Sequence, residues 1–200
     1  MKGRIHMSVF DISWCQPDDR VKSLKNQGAE GIIIKLGEQL ELDEKFVHFV
    51  NDCVACGLPY GVYYVSHAHN ADEMMQEATW INDTLYSYLG ENNLPELGIW
   101  WDMEVGSVQR GDVWPDLRDA IGTMQSWYPG YDKVGIYAQY SYFTQYIDMD
   151  ALAYYGIPVW VAQYEYPENS LKAEYPTCHH VAWQWTTHNQ TQDENEWYGF

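Results

Sequence analysis

Two acids, two residues apart, close one apolar run of the chain: Gly98-Ile99-Trp100-Trp101-Asp102-Met103-Glu104. Side chains alternate along a strand, so Trp100, Asp102 and Glu104 share one face while Ile99, Trp101 and Met103 take the other. A strand buried on both faces is apolar throughout, so two carboxylates at its end need a reason. On an extended strand their Cα atoms lie about 6.6 Å apart, at about 3.3 Å rise per residue. Neighbouring carboxylates shift one another: one ionises, and the other's pKa rises until it holds a proton near neutrality. That arrangement suits glycoside cleavage, where one carboxyl protonates the leaving oxygen and another negative group stabilises an oxocarbenium-like centre. Two plainer readings stand beside it. An acid pair after a strand also serves as a helix N-cap or a solvated loop. Carboxylates also hold Mg²⁺ or Ca²⁺, with His67, His69, His179 and His180 as available imidazoles, although no third ligand declares itself. Other apolar runs reach acids too: Val9-Phe10 leads to Asp11, and Ile32-Ile33-Ile34 leads to Glu38.

The elements that must hold these acids follow from hydropathy and turn residues. Short apolar runs at 9–13, 31–36, 60–65, 97–104, 134–138, 158–163 and 181–185 read as strands. Stretches with helical spacing, at about 18–27, 43–56, 71–89 and 113–127, separate the early ones. This alternation predicts an α/β fold with a mostly parallel sheet. Past Ala138 the helical segments shorten to 140–146 and 149–154, and the last strands crowd together before a polar stretch at 186–195. Seven or eight strands in one domain of 200 residues fit a small, irregular TIM-like β/α barrel with reduced helices in its C-terminal part. In such barrels chemistry collects at the C-terminal ends of the strands, where these acids stand.

Composition narrows the partners. Eleven Lys+Arg against 29 Asp+Glu leave a formal net charge of −18. Nucleic-acid binding is disfavoured, because neutralising phosphates needs basic clusters. Adhesion to anionic membranes or walls by charge alone is disfavoured as well, and teichoic-acid-rich walls should repel the domain at low salt. Ten Trp, 17 Tyr and 5 Phe are too many for an unfolded acidic tail. Trp and Tyr offer an apolar face with a polar edge, which suits sugar platforms and half-buried cores alike. No window reaches the roughly 18 to 20 apolar residues of a membrane span. Residues 1–7 lack the apolar core of a secretory signal and read as a leader or remnant, which leaves 8–200 as one catalytic domain. Cys53 and Cys56 match C-x-x-C, but they fall at a helix end before Gly57, where ordinary buried thiols are expected rather than a redox pair.

With these motifs in order, the chain resembles the lysozymes of glycoside hydrolase family 25, the Chalaropsis-type muramidases, many of them phage endolysins. Val9-Phe10-Asp11-Ile12-Ser13 resembles the family's opening G-x-D-V-S strand, and Ile32–Glu38 its second strand. Gly61-Val62-Tyr63-Tyr64-Val65 resembles G-x-Y-H-F, and Asp102-Met103-Glu104 the D-x-E signature. Gly135-Ile136-Tyr137, Val159–Tyr164, Trp183-Gln184-Trp185 and Asp193-Glu194-Asn195 resemble the later I-Y, L-W-x-A-x-Y, W-Q-Y and D-x-N motifs. Each motif is weak alone, but eight in order are specific.

The resemblance implies a flattened β/α barrel that cleaves the β-1,4 bond between N-acetylmuramic acid and N-acetylglucosamine, with no metal and no cofactor. It makes Glu104 the general acid and Asp102 its partner, orienting the 2-acetamido group or stabilising its charge. Asp11 and Asp193 become the other acids of the pocket, positioning substrate or water. Glu38, Lys35 and Tyr137 become sugar contacts, with Trp160, Gln163 and Trp185 as weaker candidates. Two departures stand out. Tyr64 occupies the place of the family's His, and the turn after the second strand reads Leu36-Gly37-Glu38-Gln39 instead of carrying an Ala-Thr pair. Tyr64 can hydrogen-bond a sugar but does not titrate near neutrality. The implied partner is the glycan strand of bacterial peptidoglycan, aided by a separate wall-binding domain. The implied place of action is the bacterial cell wall, reached as a phage lysin released from the host cytoplasm or as one domain of a secreted protein. The rival readings are a non-catalytic glycan-binding module and a hydrolase of a chitin-like polymer.

Overall fold

The computed structural model describes residues 7–90, 93–186 and 193–200. In chain order the elements are β1 (Met7–Ile12), α1 (Arg20–Asn26), β2 (Gly31–Glu38), β3 (Glu41–Leu42), α2 (Phe46–Cys56), β4 (Tyr60–Val65), α3 (Ala71–Leu89) and β5 (Ile99–Asp102). There follow α4 (Trp114–Trp127), β6 (Val134–Gln139), α5 (Tyr140–Tyr146), α6 (Met149–Tyr155), β7 (Pro158–Ala162), α7 (Ser170–Glu174), β8 (His179–Thr186) and β9 (Asp193–Trp197). Strands β1, β2 and β4 to β8 run parallel in sequence order, and β9 lies antiparallel between β8 and β1. The pairing of β1 with β2 closes the sheet into an eight-stranded barrel, with β3 a two-residue flap on β2. The expected α/β barrel is therefore the observed one, with its later helices reduced to five to seven residues.

Alternation sorts the side chains into two cores. Phe10, Ile32, Ile34, Val62, Ile99, Trp101 and Ile136 face outward and pack under the helices, which bury Leu24, Phe49, Met74, Ile81 and Leu117 against them. Val9, Ile33, Trp100, Tyr137, Trp160 and Trp197 face into the barrel lumen. Burying each such side chain stabilises the fold by about 1.5–3 kcal/mol, offset by the entropy of ordering it. The lumen has room for the Trp100 indole because Gly135 stands across from it: a Cβ there would meet Trp100 Cζ3 at 2.7 Å and the Pro158 carbonyl oxygen at 2.5 Å.

Two expectations change. The strand expected over 97–104 stops at Asp102, and Glu104 lies beyond it. The Glu104 amide turns back to donate to Asp102 Oδ1 at 3.2 Å, so the extended-strand spacing does not apply to this pair. The polar stretch expected at 186–195, part of which lies outside the described residues, contains the start of strand β9. Asp193-Glu194-Asn195-Glu196-Trp197 has no apolar alternation to reveal it; barrel closure supplies its partners on both sides. Of the expected leader at 1–7, only Met7 falls within the described residues; it opens β1 opposite Trp197. No helix among the described residues is long and apolar enough to cross a membrane.

Candidate active site

At the C-terminal mouth of the barrel a cavity of about 290 Å³ is lined by Asp11, Tyr63, Asp102, Glu104, Tyr137, Trp160, Tyr164, Gln184 and Asp193. Four carboxylates thus converge from β1, β5, the turn after β5, and β9. Each arrives for a local reason. Asp11 continues the inward parity of Val9 on β1, and Asp193 is its direct cross-strand partner on β9, which puts both carboxylates on the same face. Asp102 continues the inward parity of Trp100. A larger hollow of about 420 Å³ lies on the outer surface beside α4 and Tyr155, but its one carboxylate, Asp119, is paired with Arg118 at 2.7 Å.

A polar network orients the acids. Asp11 Oδ2 accepts from Gln184 Nε2 at 2.9 Å and from Asn195 Nδ2 at 2.8 Å. Gln184 Oε1 in turn accepts from the hydroxyls of Tyr137, at 2.7 Å, and Tyr164, at 2.6 Å. Trp160 Nε1 donates to Asn195 Oδ1 at 2.7 Å, so a lumen ring and a pocket amide hold each other. With both acceptors engaged, the amide groups of Gln184 and Asn195 can only point their N–H donors at Asp11.

Charge crowding shifts these acids upward. Burial, followed by Asp193, pushes Asp11 up to about 7, against the lowering effect of its two amide donors. Burial, then the neighbouring Glu104, raises Asp102 well above the carboxylate range, while the Glu104 amide and Lys35 pull the other way. Burial also raises Glu104, with Asp193 adding to it and Gln139 and Tyr137 opposing. A cluster of this kind holds protons at a pH where isolated carboxylates have lost them. Asp102 is 5% exposed, whereas Glu104 is more open and borders the cavity mouth. Of this pair, Glu104 is the carboxyl more open to the cavity.

The structure gathers Glu104, Asp102, Asp11, Asp193, Tyr137 and Trp160 around one cavity. Lys35 and Glu38 stand beside it, paired at 3.3 Å, in an adjoining groove of about 360 Å³ shared with Trp14 and Asp43. Three other residues are placed elsewhere. Tyr64 is fully buried on the outer face of β4, 5.4 Å from Trp80 between ring centroids, and it is Tyr63 that reaches the cavity. Trp185 does not line the cavity; its inward neighbour Gln184 does. Gln163 caps a turn, its Oε1 accepting from the Ser170 amide at 3.0 Å. Both the Tyr63/Tyr64 and Gln184/Trp185 choices turn on parity, because a one-residue shift moves a side chain through the barrel wall. Gly61, with no room for a Cβ beside the Leu97 carbonyl oxygen at 2.7 Å, marked the inward parity that Tyr63 shares. Tyr164 closes the L-W-x-A-x-Y-like run, the signal that could have singled it out, whereas Trp14 sits on a loop with no periodic signal.

Among the described residues no group of three or more His, Cys, Asp or Glu side chains is arranged to hold a metal ion. The Cys53 thiol, pushed up to about 12 by burial, is far from a reactive thiolate.

Comparison with known proteins adds an independent line. The profile of the glycosyl hydrolases family 25 matches residues 10–194. No curated protein sequence matches. Among solved structures, the modular autolysin LytC from Streptococcus pneumoniae superposes with a TM-score of 0.79 at 24% identity, over 99% of this chain and 48% of that one. This chain thus spans about half the length of that autolysin, which is also solved in complex with a synthetic peptidoglycan ligand. A lysozyme from Streptomyces coelicolor superposes with a TM-score of 0.73 at 21% identity, over 96% of this chain and 92% of that one. The catalytic domain of an endolysin from a bacteriophage of Listeria monocytogenes gives 0.73 at 20% identity, over 97% and 94%. At such identities these likenesses speak for the fold.

Proposed function

The chain belongs to the glycosyl hydrolases family 25, and from this premise we propose that it is an N-acetylmuramidase. Its bond is the β-1,4 link between N-acetylmuramic acid and N-acetylglucosamine in bacterial peptidoglycan. The observation that carries the reading is the convergence of Asp11, Asp102, Glu104 and Asp193 in one cavity at the C-terminal mouth of the barrel.

In this reading Glu104 gives its proton to the leaving glycosidic oxygen. Burial keeps that proton on it, and its open position lets it reach the bond. Asp102 lies deeper, its Oδ1 held by the Glu104 amide; burial and Glu104 raise it, and Lys35 opposes that rise. There it orients the 2-acetamido group, whose own oxygen attacks the anomeric carbon, and it stabilises the charge that develops. Asp11 and Asp193 place the water that completes hydrolysis, with Gln184 and Asn195 fixing the direction of Asp11. Tyr63, Tyr137 and Trp160 supply rings and a hydroxyl against the sugar. Lys35 and Glu38 contact the next part of the glycan. The acidic surface argues for a separate wall-binding module that brings the domain to a wall of like charge.

The test is turbidity loss and reducing-end release from purified peptidoglycan, with wild type and Glu104→Gln side by side. Wild-type release that drops by about 10³-fold in the variant supports the assignment; equal rates break it. Products analysed by mass from peptidoglycan and from chitin oligomers show which polymer is preferred, and chitin preference overturns the muramic acid assignment.

A further inference from the structure

Helix α3 buries Met74, Ala78, Ile81 and Leu85, and in the same stripe it buries a carboxylate, Glu77, only 5% exposed. A charge in an apolar stripe is costly unless it is hydrogen-bonded, so its partners reveal what it is for. Glu77 Oε2 accepts from the Ser66 hydroxyl at 2.6 Å, and Oε1 accepts from the His67 amide at 2.9 Å. Burial raises the Glu77 carboxyl, and the nearby Tyr64 hydroxyl is among the groups that oppose the rise, after Ser66 and the His67 amide. Each partner leads back toward the mouth of the barrel. The Ser66 amide donates to the Asp102 carbonyl oxygen at 3.0 Å. The Tyr64 hydroxyl accepts from the Leu40 amide at 3.0 Å. His67 Nε2 lies 3.7 Å from Glu38 Oε2, and its Nδ1 lies 3.4 Å from Gln39 Nε2.

The turn held by Tyr64 is a strained one. Gln39 and Leu40 have φ of 51° and 60°, both left-handed and neither glycine, as a two-residue hairpin between β2 and β3 requires. Such a turn persists when its surroundings hold it, and here the holding group is a hydroxyl from the strand beneath. The turn follows directly on Glu38, whose carboxylate fixes Lys35, the cation that acts on Asp102.

We propose that Glu77, which lies outside the acid cavity, is a positioning residue for the glycosidase reaction: through Ser66 it sets the end of β5 at Asp102, and through Tyr64 it sets the hairpin that carries Glu38. This rests on the muramidase reading above. The two arms have different consequences. The Ser66 arm ends on a group that acts in the transition state, so loosening it lowers kcat. The Tyr64 arm ends on a sugar contact, so loosening it raises KM.

Glu77→Gln keeps the shape of the side chain but leaves one oxygen for the two donors Ser66 Oγ and His67 N. Ser66→Ala and Tyr64→Phe cut one arm each. Kinetics on soluble peptidoglycan fragments and amide hydrogen exchange at 64–68, 102–104 and 38–41 provide the readouts, with Glu104→Gln as a control. The expected result is a kcat lower by about tenfold in Glu77→Gln and Ser66→Ala, with KM held. Tyr64→Phe is expected to raise KM several-fold with kcat held, and exchange quickens in the matching segments. Variants that only melt earlier, with both constants within about twofold of wild type, overturn the inference and leave Glu77 a structural acid. If Glu77→Gln does not fold, the Ser66→Ala and Tyr64→Phe split decides: its presence supports the clamp and its absence overturns it. A wild type that releases no reducing ends defeats the muramidase reading itself. An active wild type, a dead Glu104→Gln and an unaffected Glu77→Gln defeat only this inference.

Discussion

The two ends of the barrel are built on the same strands and could hardly differ more. At the N-terminal end Trp100 stacks on Phe200 at 5.9 Å between centroids and meets Trp197 edge-on at 5.8 Å, while Lys133 Nζ lies 5.0 Å over the Phe200 ring. At the C-terminal end four carboxylates crowd one cavity. Strand β9 spans both: Asp193 lines the cavity, Asn195 links Trp160 to Asp11, and Trp197, the fifth and last residue of the strand, sits in the aromatic plug. The closed end is optimised for packing. The open end carries mutual repulsion among its acids, as the proposed proton transfer requires, and the closed end makes that tolerable.

Substitutions at the two ends should have opposite effects on turnover and stability. The largest effect belongs to Glu104→Gln, which should lose about 10³-fold in turnover while its thermal midpoint stays at or above that of wild type. Trp197→Ala should do the reverse. It removes a 2% exposed ring and should cost about 3–5 kcal/mol in denaturant unfolding, with kcat of the folded fraction unchanged. An active but thermally fragile Glu104→Gln, or a stable but inactive Trp197→Ala, would dissolve the division.

A smaller effect sharpens the electrostatic half. Asp11 rises from 3.8 to about 7 on folding, so the native state keeps a proton that the unfolded chain releases. Between these values the native state binds more protons, and stability from this group falls as pH rises. It is fully present at low pH and is lost as pH passes through about 7. Asp11→Asn should flatten that decline, gaining roughly 2–4 °C over wild type in melts near pH 8, a shift worth about 1 kcal/mol in a chain of this size. Near pH 4 it should gain nothing. An equal gain at both pH values would point to packing rather than charge. The smallest expected effect is at the rim. Trp14 is 54% exposed, and its amide is tied to Asp43 Oδ2 at 3.1 Å beside Lys35 and Glu38. Trp14→Ala should raise KM for long glycan fragments by a few-fold, about 1 kcal/mol of ring–sugar contact, and leave short fragments unaffected. A change in kcat instead would move Trp14 from the rim to the chemistry.

Much of this arrangement was legible from the residues in order. The barrel followed from alternating apolar runs and helical stretches, and Asp11, Asp102 and Glu104 followed from acids standing where those runs end. What was not legible was parity and closure. Tyr63 and Tyr64 are identical letters on opposite faces of β4, and Gln184 and Trp185 differ only by which one the strand turns inward. The motif drew attention to Tyr64, at the place of the family's His, and the ring of Trp185 drew attention from Gln184; the cavity is lined by Tyr63 and Gln184 instead. Strand β9 was hidden for a different reason, since its residues are polar and it exists only because β8 and β1 leave edges for it.

Local periodicities, the apolar surface that must be buried and the placing of acids at strand ends are dictated by residue order, because they depend on neighbours in the chain. The tertiary structure alone sets Asp193 opposite Asp11, aims the donors of Gln184 and Asn195 at one carboxylate, and brings the Ser66 hydroxyl to Glu77. Those facts depend on contacts across as many as 184 residues of separation, as between Asn195 and Asp11. They are set by how a twisted sheet closes on itself, which no stretch of the chain encodes alone.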